Sequence, residues 1–137
     1  MIRIVEIPAA AAWPLRHRVM YPGLDFESIK LPDDDAARHL GLYEDDMLVS
    51  VLSLFLRGDA LQFRKFATLQ DQQGKGYGTK LLAHVLREAE AAGLRRVWCN
   101  ARRNAAPFYK RFGFRETAET FFKDGYEFVV MERMRGG

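Results

Sequence analysis

The spacing of apolar and polar residues along the chain predicts its first elements. Residues 3–7 form a short apolar segment that Pro8 closes, which is typical of a strand. Residues 9–19 have the composition of a helix, and Pro14 interrupts the pattern at a point that could mark the true first turn. Residues 25–37 are polar, and the acidic run within them predicts a solvated loop.

Three extended segments follow, at residues 39–43, 47–56 and 60–69. Acidic residues separate the first two segments, and Gly58 lies between the second and the third, so both connections are expected to be short turns. Consecutive strands joined by short turns predict an antiparallel meander.

The apolar period then becomes helical. Between Gly76 and Ala92 the apolar residues form one stripe, and Gly93 is a natural helix end. Residues 94–101 predict another strand. Asn104 is a candidate cap for a short helix that has Pro107 in its first turn.

The chain ends with at least one more strand, predicted at residues 126–134. The order is strand, helix, three strands, helix, strand, helix and a final strand or strands. Because no repeat, low-complexity tract or linker interrupts this order, residues 1–137 are expected to form a single α/β domain with a mixed sheet.

Composition narrows the class of protein. With 48% hydrophobic and 28% charged residues, the chain has the make-up of a folded globular protein. No apolar run is long enough to span a bilayer, and the N-terminus, with Glu6 in its apolar stretch, does not read as a signal peptide. Cys99 is the only cysteine, so no internal disulfide is expected and no metal site is indicated. A cytoplasmic location without a membrane partner is therefore predicted.

The charge balance points to an anionic ligand. The formal net charge is +3 and the pI is about 9.2. This mild excess suits a phosphate-bearing ligand, but the chain has no interleaved basic and aromatic motif, so no nucleic-acid partner is expected.

The most informative segment is Gln73–Thr79, which reads Gln-Gly-Lys-Gly-Tyr-Gly-Thr. It lies between a predicted strand and an amphipathic helix. Its glycines let the backbone turn tightly and approach a ligand closely. The first turn of a helix has unpaired N–H groups and the positive end of the dipole, so the segment predicts a phosphate or pyrophosphate site.

Two common nucleotide motifs do not fit this segment. A P-loop needs Lys followed by Ser or Thr after its second glycine, whereas here Thr79 precedes Lys80. The dinucleotide motif G-x-G-x-x-G fails because Gly78 comes one residue early, and because the segment follows a meander instead of a first parallel strand.

Two motifs together resemble the GCN5-related N-acetyltransferase (GNAT) family. Residues 73–78 are similar to its (Arg/Gln)-x-x-Gly-x-(Gly/Ala) signature, and residues 104–114 to its later motif of Asn, Phe-Tyr and Gly-Phe. The resemblance covers about residues 60–134. It implies a twisted mixed sheet of six to seven strands flanked by about four helices, with acetyl-CoA held where the fourth and fifth strands splay apart.

The resemblance also implies the residues that bind acetyl-CoA. The backbone of the fourth strand would pair with the pantetheine arm, main-chain N–H groups of the glycine segment would hold the pyrophosphate, and residues of the later motif would line the other wall or the adenine side. In that order the residues are Phe66, Ala67 and Thr68; Gln73, Gly74, Lys75, Gly76, Tyr77, Gly78 and Thr79; and Asn104, Phe108 and Lys110.

The implied reaction is direct attack of a primary amine on the thioester in a ternary complex. The amine must first lose a proton, and a strand N–H near Phe66 could polarise the carbonyl. Tyr109 is the candidate general acid for the thiolate; a packing role beside Phe108 is its alternative. The fourth strand lacks the glutamate that many relatives use as general base, which leaves a water relay or another acid such as Glu27.

His17 and His39 are further candidates for the base, with a surface or structural role as the alternative. The basic runs at 16–18 and 64–65 could bind an acidic substrate, and those at 95–96 and 102–103 could lie near the 3′-phosphate of CoA; ordinary exposure is the alternative for all of them.

Cys99 is interpreted as a small buried hydrophobe, and the aromatic residues at 121–128 as core packing, with an acceptor pocket or a dimer contact as their alternatives. The acceptor is expected to be a small-molecule or peptide amine, and a homodimer is compatible with the family. The alternative functions are a non-catalytic acyl-CoA-binding module and an interaction domain.

Overall fold

The computed structural model describes residues 1–136, so Gly137, the last residue of the predicted domain, lies outside the described residues. The described chain has seven strands and three α-helices. In chain order they are β1 (Ile2–Ile7), α1 (Ala9–Met20), β2 (Arg38–Glu44), β3 (Met47–Arg57), β4 (Ala60–Thr68), α2 (Tyr77–Ala91), β5 (Arg96–Arg102), α3 (Ala106–Lys110), β6 (Arg115–Lys123) and β7 (Tyr126–Met134). Short 3-10 turns lie at Phe26–Ile29, Asp34–Ala36, Gln70–Gln72 and Arg103–Ala105.

The strands form one mixed sheet in the order β1-β2-β3-β4-β5-β7-β6. Four pairs of neighbouring strands are antiparallel: β1 with β2, β2 with β3, β5 with β7, and β6 with β7. β4 and β5 are parallel and pair from Ala60 with Arg96 to Gln62 with Trp98. The predicted α/β class and mixed sheet are confirmed. The prediction left the number of final strands open, and the structure has two, β6 and β7.

The chain divides into two compact units. The first comprises residues 1–55 and 63–85, and the second comprises residues 56–62 and the chain from 86 onward. In the first unit every residue of β3 from Val49 to Phe55 is buried, which is typical of a strand covered on both faces.

In the first unit, α1 differs from the prediction at its proline. Pro14 lies inside the helix, and Pro8 is the residue before its first turn. Proline removes the hydrogen bond to the carbonyl four residues earlier. Pro14 and Ala10 are both exposed, so water can solvate the carbonyl of Ala10 and the helix continues.

The segment predicted as a solvated acidic loop carries a buried ion pair. Asp34 is 3% exposed and Arg16 is fully buried. Arg16 Nη1 donates to Asp34 Oδ2 at 2.8 Å, and Arg16 Nη2 donates to Ser53 Oγ at 3.0 Å. The predictions of a solvated Asp34 and of an exposed or substrate-binding Arg16 were therefore wrong, because the two side chains neutralise each other inside the first unit.

In the second unit, β7 lies between β5 and β6. Glu132 of β7 accepts from Arg96 Nε at 2.8 Å and from Arg115 Nη2 at 2.7 Å. Since β5, β7 and β6 are neighbours, this carboxylate links all three strands.

Two predictions fail in the second unit. Asn104 is part of a 3-10 turn and forms no helix cap, because α3 begins only at Ala106. The aromatic residues of the β6–β7 hairpin are not core: Phe122 is 77% exposed and Tyr126 is 48% exposed. The rings of Phe121 and Phe128 instead stack on each other across the two strands.

Candidate functional site

The glycine loop, residues 73–79, ends the connection from β4 to α2 and includes the first residues of that helix. Gly74 and Gly76 have φ values of 82° and 83°, in the left-handed region that favours glycine. A β-carbon on either residue would meet no atom within 4 Å. The loop is therefore held in a glycine-specific conformation while the space beside it stays open.

The beginning of α2 presents unpaired backbone donors. The hydrogen bond from Lys80 N to Gly76 O, 3.0 Å long, starts the helix. The N–H groups of Tyr77, Gly78 and Thr79 come before this point and have no partner within the helix. Together with the positive end of the helix dipole they form a site suited to an anion.

Gly78 fixes the approach of α2 to β4. A β-carbon at Gly78 would lie 3.3 Å from Cζ of Phe66 and 3.5 Å from Oγ1 of Thr68. A larger side chain would push the first turn of the helix away from the strand. The sequence therefore needs glycine here for close packing, whereas at Gly76 it needs glycine for the backbone conformation.

The end of β4 is tied to the glycine loop and to β3. Ser50 Oγ contacts Ala67 O at 3.2 Å and Thr68 Oγ1 at 2.9 Å, and Gln73 Nε2 donates to Thr68 O at 3.1 Å. Thus Gln73, which was predicted to bind the cofactor, contacts the last residue of the strand that was predicted to bind the pantetheine arm.

Within β4 the backbone is kinked at Lys65. Lys65 has a φ of 54°, which is uncommon for a residue other than glycine and costs about 1–3 kcal/mol. The rings of Phe63 and Phe66 lie 6.1 Å apart edge to face, although residues three apart in a regular strand point to opposite faces. The kink therefore reverses the alternation of side chains just before the predicted pantetheine segment.

Two other loop residues have polar contacts in this structure. Lys75 Nζ donates to Gln72 Oε1 at 3.1 Å, and the hydroxyl of Tyr77 donates to Glu44 Oε2 at 3.2 Å. Desolvation and the neighbouring Glu44 raise the pKa of Tyr77, so its hydroxyl stays protonated.

Tyr109, the candidate general acid, lies in α3 of the second unit. Its ring centroid is 5.2 Å from that of Phe108 and 5.9 Å from that of Phe114. Burial, with a smaller effect from Cys99, raises the pKa of Tyr109 well above its usual value near 10. The phenol is therefore neutral and holds a proton that it can donate.

The other predicted residues of the later motif surround Tyr109 in sequence. Asn104 is exposed in its 3-10 turn. Phe108 is half-buried, with its ring 5.2 Å from that of Phe112. Lys110 Nζ forms an ion pair with Glu116 Oε2 at 2.7 Å, so an incoming phosphate would have to compete with this carboxylate.

The candidate bases have different environments. His39 is 3% exposed; its Nδ1 lies 2.7 Å from Ser53 Oγ and its Nε2 lies 2.8 Å from Asp34 O. It is therefore a structural histidine, out of reach of a substrate. His17 Nε2 lies 2.7 Å from Leu24 O, and Glu27 pairs with Lys30 at 2.6 Å.

Most of the arginines considered for CoA contact carboxylates. Arg95 pairs with Asp59 at 3.1 Å, and Arg103 pairs with Glu116 at 2.5 Å. Arg102 lies 3.9 Å from the ring centroid of Tyr126.

The interpretation of Cys99 as a buried hydrophobe is confirmed: it is 3% exposed, and burial raises the pKa of its thiol to about 12.

Comparison with known proteins identifies the family. The model of the acetyltransferase (GNAT) domain matches residues 24–134. This chain belongs to the GNAT family. It is accordingly an acetyl-CoA-dependent N-acetyltransferase, with acetyl-CoA as co-substrate and an amine as acceptor, and the predicted family, activity and co-substrate are confirmed.

Individual relatives agree with this assignment. An uncharacterised N-acetyltransferase of Bacillus subtilis, YitI, is 29% identical over 130 residues, which cover 88% of this chain and 87% of YitI. A crystal structure of a candidate N-acetyltransferase from Lactobacillus plantarum is 25% identical, with a TM-score of 0.87 and 97% of each chain covered. A GNAT acetyltransferase from Elizabethkingia anophelis with bound acetyl-CoA shares the fold, with 15% identity, a TM-score of 0.73 and 97% of each chain covered.

No three His, Cys, Asp or Glu side chains in residues 1–136 are grouped so that they could hold a metal ion. In the same range no helix has the length and apolarity that crossing a bilayer requires.

Proposed function

We propose that this acetyltransferase binds the pyrophosphate of acetyl-CoA at the glycine loop and transfers the acetyl group directly to a primary amine. The observation that carries the proposal is the start of α2, where the N–H groups of Tyr77–Thr79 precede the first helical hydrogen bond at Lys80. The two linked phosphates of acetyl-CoA carry several anionic oxygens that a row of main-chain donors can bind.

In this proposal the whole loop and the end of β4 act together. Backbone groups of Phe66, Ala67 and Thr68 pair with the pantetheine arm. The pairing of β4 with β5 ends at Gln62, and this supports the proposal because the later part of β4 does not pair with β5. The residues that hold the pyrophosphate are Gln73, Gly74, Lys75, Gly76, Tyr77, Gly78 and Thr79. Asn104, Phe108 and Lys110 contact the remaining part of CoA.

Tyr109 is the proposed general acid. When the amine attacks the carbonyl carbon and the tetrahedral intermediate collapses, the C–S bond breaks and the CoA sulfur takes the phenolic proton of Tyr109. The proton that the nitrogen loses in forming the amide returns through water to the phenolate and restores Tyr109. The raised pKa keeps the phenol protonated near neutral pH, so the proton is in place when the thiolate forms, but it also makes the phenol a weaker acid. A main-chain N–H near Phe66 stabilises the oxyanion.

The attacking amine must be neutral. An alkyl ammonium has a pKa near 10, so a water relay that removes its proton is the proposed base, since His39 is enclosed by Ser53 and Asp34. Residues 1–137 act as one catalytic domain in this proposal. A cytoplasmic location and an optional homodimer remain predictions from the sequence and the family.

Initial-rate kinetics test the direct transfer. With acetyl-CoA and a panel of primary amines, we expect free CoA thiol to appear in equal amount to N-acetylated product, and double-reciprocal plots to intersect because both substrates bind before chemistry. Parallel plots, with acetylated protein detected by mass spectrometry in the absence of amine, would contradict direct attack.

A further inference from the structure

A lysine and a tyrosine meet beside the kink in β4. Lys65 Nζ donates a hydrogen bond to the hydroxyl of Tyr21, the residue that follows α1, and lies 4.7 Å from the centre of its ring. Both side chains are half-buried and both belong to the first unit. The pair is therefore partly withdrawn from water, where a charge is costly without a counter-ion.

Within residues 1–136, Lys65 has no such counter-ion. Two lysines of residues 1–136 are half-buried, Lys30 and Lys65. Lys30 pairs with Glu27 at 2.6 Å, whereas Lys65 has no carboxylate within ion-pair distance among the described residues. A partly desolvated ammonium without a carboxylate is a ready site for an anion from outside the chain.

We propose that Lys65 and Tyr21 bind a carboxylate of the acceptor, so that the acceptor is an amino acid or a short peptide with a free carboxylate. The inference rests on the proposed function, because it takes the acetyl group to lie near the backbone of Phe66. Lys65 directly precedes Phe66, so an anion held at Lys65 would bring its own amine to that part of β4.

The hydrogen-bonding directions fit this ligand. The Tyr21 oxygen accepts a hydrogen bond from Lys65 Nζ, which leaves the phenolic O–H able to donate to a second acceptor. The ammonium retains further N–H donors. One positive charge and a donor on each of two adjacent groups match the single charge and two oxygens of a carboxylate.

The kink explains why the lysine is available. Strand irregularities re-aim a side chain and are frequent beside active sites. The φ of 54° at Lys65 breaks the alternation that the contact of Phe63 with Phe66 reveals, and the Lys65 side chain is directed to Tyr21.

The test compares matched acceptors and matched variants. Turnover of acetyl-CoA is measured with the common amino acids, with short peptides, and with the carboxamides of both. We expect the wild type to have a KM for the acids at least tenfold below that for the carboxamides. Lys65→Met should raise KM for the acids about tenfold or more and leave KM for the carboxamides nearly unchanged. Lys65→Arg should recover most of the loss because it restores the charge.

Tyr21→Phe, which removes one donor and keeps the ring, should raise KM for the acids several-fold. Calorimetric titration of acetyl-CoA into each variant is the control, and unchanged affinity is expected. Equal KM values for acids and carboxamides in the wild type, or an equal change for both in Lys65→Met, would overturn the carboxylate site and leave the proposed function intact. Absence of acetyl-CoA binding by the wild type would instead refute the proposed function itself.

Discussion

Tyr109 is the single residue on which the proposed proton transfer depends. Its ring contacts those of Phe108 and Phe114, and burial raises the pKa of the phenol. A phenol that never ionises near neutrality can serve as an acid over the whole working range. Turnover of the wild type is accordingly expected to rise with pH as the free-amine fraction of the acceptor increases, without a falling limb from Tyr109 up to about pH 10.

Replacing Tyr109 by Phe tests this role. The ring contacts remain and the acid is lost, so we expect kcat to fall by about 10²-fold or more. Acetyl-CoA affinity measured by calorimetry should change less than about twofold, because no charge is altered. Tyr126→Phe, at an exposed tyrosine of the β6–β7 hairpin, is the matched control and should keep full activity. Undiminished kcat in Tyr109→Phe would remove the residue from the mechanism.

Cys99 offers a second test at this scale. A thiol with a pKa of about 12 has almost no thiolate at neutral pH and cannot form an acyl-enzyme. Cys99→Ala should therefore keep kcat within about twofold while lowering the free energy of unfolding by about 1 kcal/mol, since a buried sulfur is removed. Loss of turnover in a folded variant that still binds acetyl-CoA would point to an acyl-cysteine and against direct attack.

At the scale of elements, an ion pair joins α1 to the segment that follows it. Burial alone would raise the pKa of Asp34, but hydrogen bonds from Arg16, from the N–H of Leu31 and from Trp13 outweigh it and lower the pKa below its usual value. A lowered pKa in the folded state means that ionised Asp34 stabilises the fold above about pH 4. This contribution disappears as the pH falls through the folded-state pKa.

Asp34→Asn leaves Arg16 buried without its counter-ion. We expect the free energy of unfolding at pH 7 to fall by about 3–5 kcal/mol, as measured by urea denaturation. The difference from the wild type should shrink as the pH falls below about 4, because the stabilisation by ionised Asp34 is lost as the pH approaches and passes its lowered folded-state pKa. Asp35→Asn, at the exposed neighbour, is the control and should change stability by less than about 0.5 kcal/mol. Equal effects of the two substitutions would contradict a stabilising pair.

The limits of sequence reasoning are also clearest among the elements. The apolar periods identified β1 to β5, α2 and β7, because these patterns are local. The roles of Asp34 and Lys65 could not be read in the same way. Asp34 has an aspartate on either side of it in the sequence, and its contacts with Arg16, Trp13 and the N–H of Leu31 distinguish it only in the folded chain. The kink lies at a lysine, and no glycine in β4 indicates it in the sequence.

For the molecule as a whole, the fold class, family and co-substrate were predictable because two motifs at fixed positions are specific. The glycine loop is a local signal. Gly74 and Gly76 are needed for their own backbone conformation, and Gly78 is needed for contact with the strand that precedes the loop. The acceptor subsite is not local: Tyr21 and Lys65 lie 44 positions apart in the chain and meet only after folding. The charges on the arginines were visible, but their carboxylate partners were not.

The central claim is that the glycine loop binds the pyrophosphate of acetyl-CoA, and calorimetric titration tests it most directly. Gly76→Glu is compared with Gly125→Glu. Both glycines have φ values near 80° and would place a β-carbon in open space, so both substitutions cost about the same backbone strain of 1–2 kcal/mol. We expect the wild type and Gly125→Glu to bind acetyl-CoA equally and Gly76→Glu to lose at least 100-fold in affinity, because a carboxylate would face the pyrophosphate. Equal affinity in all three proteins would contradict the claim.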